Sequence, residues 1–222
     1  MAERTIEVVY IPIKAGVNLE AGEAKEVWNN TIATIAKQPG LNAFYWGFQV
    51  EHPDVVQMVI EWESIAAHEA FMATPEYNPF LEKMQTHVQA ESPIQYHILL
   101  RPARNPTDPF SMPVTECLRI WIPASYPSPT YESQFMAFED AAAALPGMQA
   151  KGLVAGWQVE PATHESLGEG VVGKCFTSFM GWPSLEAHEQ FRNIDGFEQV
   201  VGTMAEGMKG MDLVHVRFMK VK

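Results

Sequence analysis

Several features that would assign this 222-residue chain to a familiar class are missing. No run of about 18 apolar residues occurs, so no membrane-spanning helix is predicted. Residues Met1–Thr5 lack the apolar core of a secretion signal, so we predict a cytoplasmic protein. Only two cysteines occur, and in a reducing cytosol we expect them to be buried free thiols. Fifteen basic residues, none of them clustered, accompany 27 acidic ones, and the net charge is −12. Nucleic acids and anionic membranes are therefore not expected as partners.

Motifs for nucleotides, nucleophilic catalysis and metals are also missing. The chain contains no G-x-S-x-G turn and no phosphate-binding P-loop, and no helical pattern follows Gly168–Gly170. The His-Glu pairs that begin at His68 and His188 lack the second histidine of a zinc-binding helix. We therefore predict no cofactor and no metal, and a small molecule as the ligand.

The most informative feature present is an internal duplication. The segment WESIAAHEAF at residues 62–71 returns as WPSLEAHEQF at residues 182–191, and GFQVE at 47–51 returns as GWQVE at 156–160. Matches in one order at a nearly constant offset indicate two repeats of about 110 residues. We assign residues 1–100 to the first repeat, the proline-rich residues 101–112 to a linker and residues 113–222 to the second repeat. Residues 161–170 have no counterpart in the first repeat and are predicted to form a surface loop.

Each repeat has the hydrophobic pattern of a β-α-β-β-α-β unit. Alternating or β-branched runs predict strands, apolar residues at helical spacing predict helices, and Ser64 and Ser184 are candidate caps. This order is typical of the ferredoxin-like arrangement, an α+β fold. The helices cover one face of such a sheet, so we expect the two repeats to cover each other's bare faces in a pseudo-dimeric α/β barrel. A further homodimer is compatible with the sequence.

The residues at the end of the third predicted strand resemble those of a known family. Trp62, Ser64, His68 and the aromatic Phe71, together with the motif at 45–47, are similar to the antibiotic biosynthesis monooxygenase group of the dimeric α/β barrel superfamily. The two fused repeats resemble fungal members of that group. The superfamily includes cofactor-independent oxygenases, haem degraders, cyclases, isomerases and proteins without known activity.

The resemblance implies a cavity between sheet and helices, bordered by Trp62 and His68. His68 would be the general base, because the pKa of a histidine lies near neutral pH, and Tyr77 would donate to a developing oxyanion. Arg119 and Arg192 would be counter-ions for an anionic substrate. The other residues assigned to substrate binding are Tyr45, Trp46, Phe71, Met84 and His87. The alternative interpretation is structural: the tryptophan and histidine hold the strand-to-helix corner in both repeats, and the arginines are surface residues.

Two branches of the superfamily fit this chain less well. A histidine base of the plant-type polyketide cyclases is replaced here by Tyr77, and their tyrosine by Phe71. The haem degraders carry an asparagine on the first strand, and neither first strand contains one. His87 could ligate iron, but its counterpart is Gly207.

Three functions remain open at this stage. The first is a cofactor-independent monooxygenase of secondary metabolism, with molecular oxygen as its co-substrate. Its substrate would be a small apolar or aromatic compound derived from a polyketide or a lipid. The second is a non-catalytic barrel that binds a small molecule, and the third is a cyclase or isomerase. We expect the first repeat to hold the working cavity, because it keeps Tyr45, Trp46, Tyr77 and His87, whereas the corresponding or nearby positions of the second repeat are Ala155, Phe197 and Gly207, with Trp157 one position off.

Overall fold

In the computed structural model, residues 4–104 and 107–222 are described. Two compact units are present: one contains residues up to Arg101 together with Val216–Lys222, and the other contains Pro102–His215. The first residues of the chain, 1–3, and two residues of the predicted linker, Asn105 and Pro106, lie outside the described residues.

The first unit contains the predicted β-α-β-β-α-β order, with its second helical region divided in two. Its elements are β1 (Arg4–Pro12), α1 (Gly22–Ala36), β2 (Leu41–Phe48), β3 (Val55–Trp62), α2 (Ile65–Met72), α3 (Tyr77–His87) and β4 (Ile94–Leu100). The strands are antiparallel in the order β2-β3-β1-β4. Four residues of α1 at helical spacing are buried, Val27, Trp28, Thr31 and Ile35, and Ile32 beside them is partly buried.

The second unit repeats this topology. Its elements are β5 (Val114–Pro123), α4 (Ser128–Ala144), β6 (Leu153–Gln158), β7 (Ala162–Thr163), β8 (Val172–Trp182), α5 (Leu185–Arg192), α6 (Phe197–Gly202) and β9 (Gly210–Val216). Its strand order is β6-β8-β5-β9, with β7 also paired to β8. The α+β class with two ferredoxin-like repeats is therefore confirmed. How the repeats pack against each other stays a prediction.

The predicted serine caps begin the short helices that follow β3 and β8. Ser64 Oγ accepts a hydrogen bond from Ala67 N at 3.2 Å, and Ser184 Oγ accepts one from Ala187 N at 3.1 Å. A capped start lets the helix begin within three residues of the strand-end tryptophan. Each cap therefore brings the first turn of its helix next to that tryptophan.

The insertion at residues 161–170 is more ordered than a surface loop. It contributes β7 to the sheet, followed by a short 3₁₀ turn at Glu165–Leu167. The imidazole of His164 stacks on the indole of Trp121, with ring centroids 3.8 Å apart. This segment covers a buried tryptophan of the second unit, which the loop composition did not indicate.

The C-terminal residues belong to the first unit, whereas the sequence analysis placed them in the second repeat. The last strand, β10 (Met219–Lys220), pairs antiparallel with β2, and Val221 N donates to Phe44 O at 2.8 Å. This strand protects an edge of the first sheet that would otherwise expose its backbone groups.

Two other expectations concern cysteines and membranes. Cys117 and Cys175 are both buried and are not joined in a disulfide. No helix within residues 4–104 and 107–222 combines the length and the apolar character needed to cross a membrane.

Gly47 on β2 provides a test of how the C-terminal strand is attached. A Cβ at this position would collide with the carbonyl oxygen of Arg217 and would lie 2.9 Å from Val216 Cγ1, so the neighbouring backbone would have to move. We expect Gly47→Ala to lower the free energy of unfolding by about 1–3 kcal/mol, measured by urea denaturation. Most of this loss should vanish in a chain that ends at His215, which lacks both Val216 and Arg217. An equal loss in both chains would show that the collision is not its cause.

Candidate active site

The strand-end tryptophan and the histidine of α2 meet directly in the first unit. The rings of Trp62 and His68 are stacked, with centroids 5.1 Å apart and 23° between their planes. Their exposed fractions are 1% and 2%. This proximity is the one that the resemblance implied, and it follows from the early start of α2 at Ser64.

A buried carboxylate lies beneath this pair. Glu7 is on β1, opposite Ile60 of β3 in the sheet register, and faces the helices. Trp62 Nε1 donates to Glu7 Oε2 at 2.7 Å, and His68 Nε2 lies 3.4 Å from the same oxygen. On the other side of β1, the register places His97 of β4 opposite Glu7. His97 Nε2 is 2.8 Å from His68 Nδ1, so Glu7, Trp62, His68 and His97 form one network, here called the first polar cluster.

The second unit contains the same network. Trp182 Nε1 donates to Glu116 Oε2 at 2.9 Å, and His188 Nε2 is 3.4 Å from that oxygen. His188 Nδ1 is 2.7 Å from His215 Nε2. We call these four residues the second polar cluster. The two repeats therefore contain equivalent networks with nearly equal distances.

Burial raises the pKa of the second carboxylate. Desolvation is the largest cause, and the hydrogen bond from Trp182 and the electrostatic interactions with His215 and Arg192 oppose this rise only in part. A carboxylate with a raised pKa is a stronger proton acceptor when it is ionised. Glu116 therefore has a property that general bases require.

An apolar cavity of about 50 Å³ adjoins the first polar cluster. Its walls include aliphatic residues of β1 and β3, and five of the predicted site residues line it: Trp62, His68, Phe71, Tyr77 and Met84. Burial raises the pKa of Tyr77, and the negative charge of Glu7 adds to this, while a hydrogen bond with Gln95 opposes it. Tyr77 is therefore a neutral phenol at physiological pH and can donate a hydrogen bond.

The cavity beside the second polar cluster is larger and has different walls. It measures about 100 Å³, and Arg192 lines it together with Glu116 and His188. Phe197 and Leu213 occupy the places that Tyr77 and Gln95 have in the first repeat. The second cavity therefore contains a guanidinium group and lacks the phenol of the first.

The remaining predicted site residues lie elsewhere. Trp46 packs edge-on against Trp28, with centroids 4.8 Å apart, and Tyr45 lies beneath the ammonium group of Lys220. His87 is at the end of α3, with Nδ1 3.5 Å from a carboxylate oxygen of Glu23. Arg119 lies on β5, and its guanidinium is 4.8 Å from the ring centroid of Trp121. None of the four predicted residues Tyr45, Trp46, His87 and Arg119 is among the residues that line either cavity.

Sequence reasoning missed four residues of the two polar clusters: Glu7, His97, Glu116 and His215. A signal was present, because each first strand has a glutamate inside an apolar run, at Glu7 and Glu116. Each last strand similarly has a histidine between apolar neighbours. Comparison of the two repeats position by position would have identified both pairs.

Within the described residues, no group of three or more His, Cys, Asp or Glu side chains has the arrangement of a metal site.

The fold and both clusters define a protein built from two ferredoxin-like repeats, each with a buried carboxylate facing an apolar cavity. Residues 8–83 match the family described as antibiotic biosynthesis monooxygenase. The first repeat thus contains a domain of this family, and the resemblance is confirmed. The match supports a monooxygenase-type function. No curated protein matches the chain.

Solved structures agree on the fold over the full length of the chain. An anthrone oxidase-like protein has a TM-score of 0.69 at 12% identity, covering 100% of this chain and 94% of that one. A candidate monooxygenase from Fusobacterium nucleatum has a TM-score of 0.61 at 8% identity, with coverage of 100% and 94%. Another from Lactobacillus acidophilus has a TM-score of 0.59 at 9% identity, with coverage of 99% and 95%. Identities this low establish similarity of fold alone.

The raised pKa of Glu116 leads to a prediction for stability. The folded state binds the proton of Glu116 more tightly than the unfolded state does, so stability decreases as pH rises from about the ordinary pKa of 4.5 to the raised value. We expect Glu116→Gln to remove this decrease, which is measured as the melting temperature at a series of pH values. Glu189→Gln, a change at an exposed neighbour of His188, is the control and should keep the wild-type slope. Parallel curves for all three proteins would contradict the assignment.

Proposed function

We propose that the chain is a cofactor-independent monooxygenase that acts on a small hydroxylated aromatic compound, with molecular oxygen as co-substrate. The observation that carries the proposal is the Glu7 carboxylate, which faces an apolar cavity and is only 5% exposed. The monooxygenase domain over residues 8–83 supports the same class of reaction. Polyketide- or lipid-derived compounds of secondary metabolism are the proposed source of the substrate.

The reaction must balance without an added reductant. A methylene group activated by a neighbouring aromatic carbonyl loses a proton to the base and becomes a stabilised carbanion. This carbanion supplies the electrons that reduce oxygen. One oxygen atom then forms the new carbonyl group, and the other leaves as water with the two hydrogens of the methylene carbon. The protein has to remove a proton, position the substrate and exclude bulk water.

The contacts of the first polar cluster favour a division of these roles that differs from the sequence prediction, which made His68 the base. Both ring nitrogens of His68 lie against protein atoms, of His97 and Glu7. We therefore assign proton removal to Glu7 and a positioning role to His68, which orients the carboxylate and transfers charge towards His97. Tyr77 is placed to donate to the oxyanion that develops on the substrate. Trp62 and Phe71 form apolar walls.

A specific observation also favours the non-catalytic binding barrel as a second candidate. The polar cluster is present in both repeats with closely matching distances, and His188 is engaged in the same way as His68. A network that holds the strand-to-helix corner would be retained in both copies for stability alone. Under this reading the cavities bind a ligand and leave it unchanged.

Oxygen uptake with a panel of anthrones and quinols tests the catalytic proposal. We expect Glu7→Gln to lower turnover by roughly 10²-fold or more, because an amide can accept the indole hydrogen bond but cannot remove a proton. Glu69→Gln, an exposed change next to His68, should leave turnover unaffected. Loss of activity from Glu116→Gln instead would move the active site to the second repeat. Uptake no greater than without protein for every compound would favour the binding barrel.

Substitution of the histidines in α2 and α5 tests whether these residues position a catalytic group or only stabilise the fold. If the clusters serve stability alone, His68→Gln and His188→Gln should each lower the free energy of unfolding by about 1–3 kcal/mol. Activity should then follow the folded fraction in both variants. If the first repeat is the active one, His68→Gln should in addition lower the turnover of the folded enzyme and shift its pH profile, and His188→Gln should do neither. Denaturation curves and pH–rate profiles of both variants decide between these outcomes.

A further inference from the structure

The cavity beside Glu7 is too small for the substrate that the proposed function requires. Its volume of about 50 Å³ accommodates one or two molecules the size of water or dioxygen. Sites for organic ligands usually measure roughly 300–1,000 Å³. An aromatic substrate must therefore occupy additional space that connects with this inner cavity.

An outer groove of about 450 Å³ lies between α1 and α3 of the same unit. Two residues, Thr31 and Phe80, line both the groove and the inner cavity. They form the partition between the two spaces. Together the spaces have a volume in the range of ordinary ligand sites.

The two residues of the partition differ in how firmly they are held. Thr31 is 3% exposed, and its hydroxyl donates to Val27 O within α1 at 2.9 Å. Phe80 is only partly buried, and its ring contacts Tyr77 and Phe71 at centroid distances of 5.8 and 6.1 Å. It lies in the first turn of α3, and no side chain caps the start of that helix. Rotation of Phe80 is therefore the smaller change that would join the two spaces.

The groove has an electrostatic character that differs from that of the whole chain. Lys37, Glu76 and Lys83 line it, in a protein whose net charge is −12. Lys37 and Glu76 form an exposed ion pair of 3.4 Å, and no ion pair of Lys83 is found among the described residues. The ammonium group of Lys83 is thus the candidate partner for an acidic group of a ligand.

We propose that the substrate is an aromatic compound with a hydroxyl at one end and a carboxylate at the other, and that it enters through the outer groove past Phe80. Its hydroxylated ring lies against Tyr77 and Glu7 in the opened inner cavity, and its carboxylate contacts Lys83. Phe80 determines the access of the substrate, and Lys83 determines its specificity. This inference rests on the proposed function for the position of the reactive ring.

Binding can be measured separately from oxygenation by excluding oxygen. The probes are 6-hydroxy-2-naphthoate, which has the two groups at opposite ends, and 2-naphthol, which lacks the carboxylate. Anaerobic titration should give tighter binding of 6-hydroxy-2-naphthoate. Lys83→Gln should weaken that binding about threefold, because an exposed charge pair contributes only a small interaction free energy. The same substitution should leave 2-naphthol binding unchanged. Lys25→Gln, an equal change of charge on α1 outside the groove, should affect neither probe.

Stopped-flow association of 6-hydroxy-2-naphthoate tests the access role of Phe80. Phe80→Ala should raise the association rate constant several-fold by removing the partition, and Phe80→Trp should lower it. The two variants change the size of the side chain in opposite directions, so a loss of stability common to both cannot produce opposite effects on the rate. Equal rates in both variants and the wild type, or equal effects of Lys83→Gln and Lys25→Gln, would overturn the inference.

The same measurements distinguish failure of this inference from failure of the proposed function. Binding with the expected responses, but without oxygen uptake in air for any compound of the anthrone and quinol panel, would retain the entry route and reject the monooxygenase. Oxygen uptake that depends on Glu7 but is insensitive to changes at Phe80 and Lys83 would retain the enzyme and reject this entry route.

Discussion

A carboxylate buried beneath an indole and an imidazole is the constraint on which each repeat depends. Removing a charge from water is unfavourable by several kcal/mol unless partners compensate for the lost hydration. The partners of Glu7 come from separate elements: the end of β3, the first turn of α2 and, through His68, the strand β4. The sheet register and the cap at Ser64 must both be correct for this group to be accommodated.

The same constraint accounts for what the two repeats share and where they differ. The clusters are alike, because a change in any member would leave a buried polar group without compensation. The cavity walls have no such restriction, and there the copies have diverged: Tyr77 and Gln95 face one cavity, and Phe197 and Arg192 line the other. A duplicated framework can thus present two chemical environments while keeping one way of folding.

Features encoded locally could be predicted from the sequence. The serine caps and the order of helices and strands along the chain depend on short-range patterns, and the structure contains them as expected. The proximity of Trp62 to His68 belongs to the same group. Attachment of β10 to β2 could not be predicted in this way, because it joins Met219 to Trp46 across most of the chain.

The candidate site depends on contacts between residues that are far apart in the sequence. The sequence by itself determined the duplication, the ferredoxin-like class and a histidine close to the strand-end tryptophan, since these follow from periodicity and short-range spacing. Only the tertiary structure decided that His68 contacts Glu7 and His97, and that Tyr45, Trp46 and His87 line neither cavity. The reason is physical: strand register and the packing of helices on a sheet bring distant residues together, and a shift of one residue turns each strand's side chains to the opposite face.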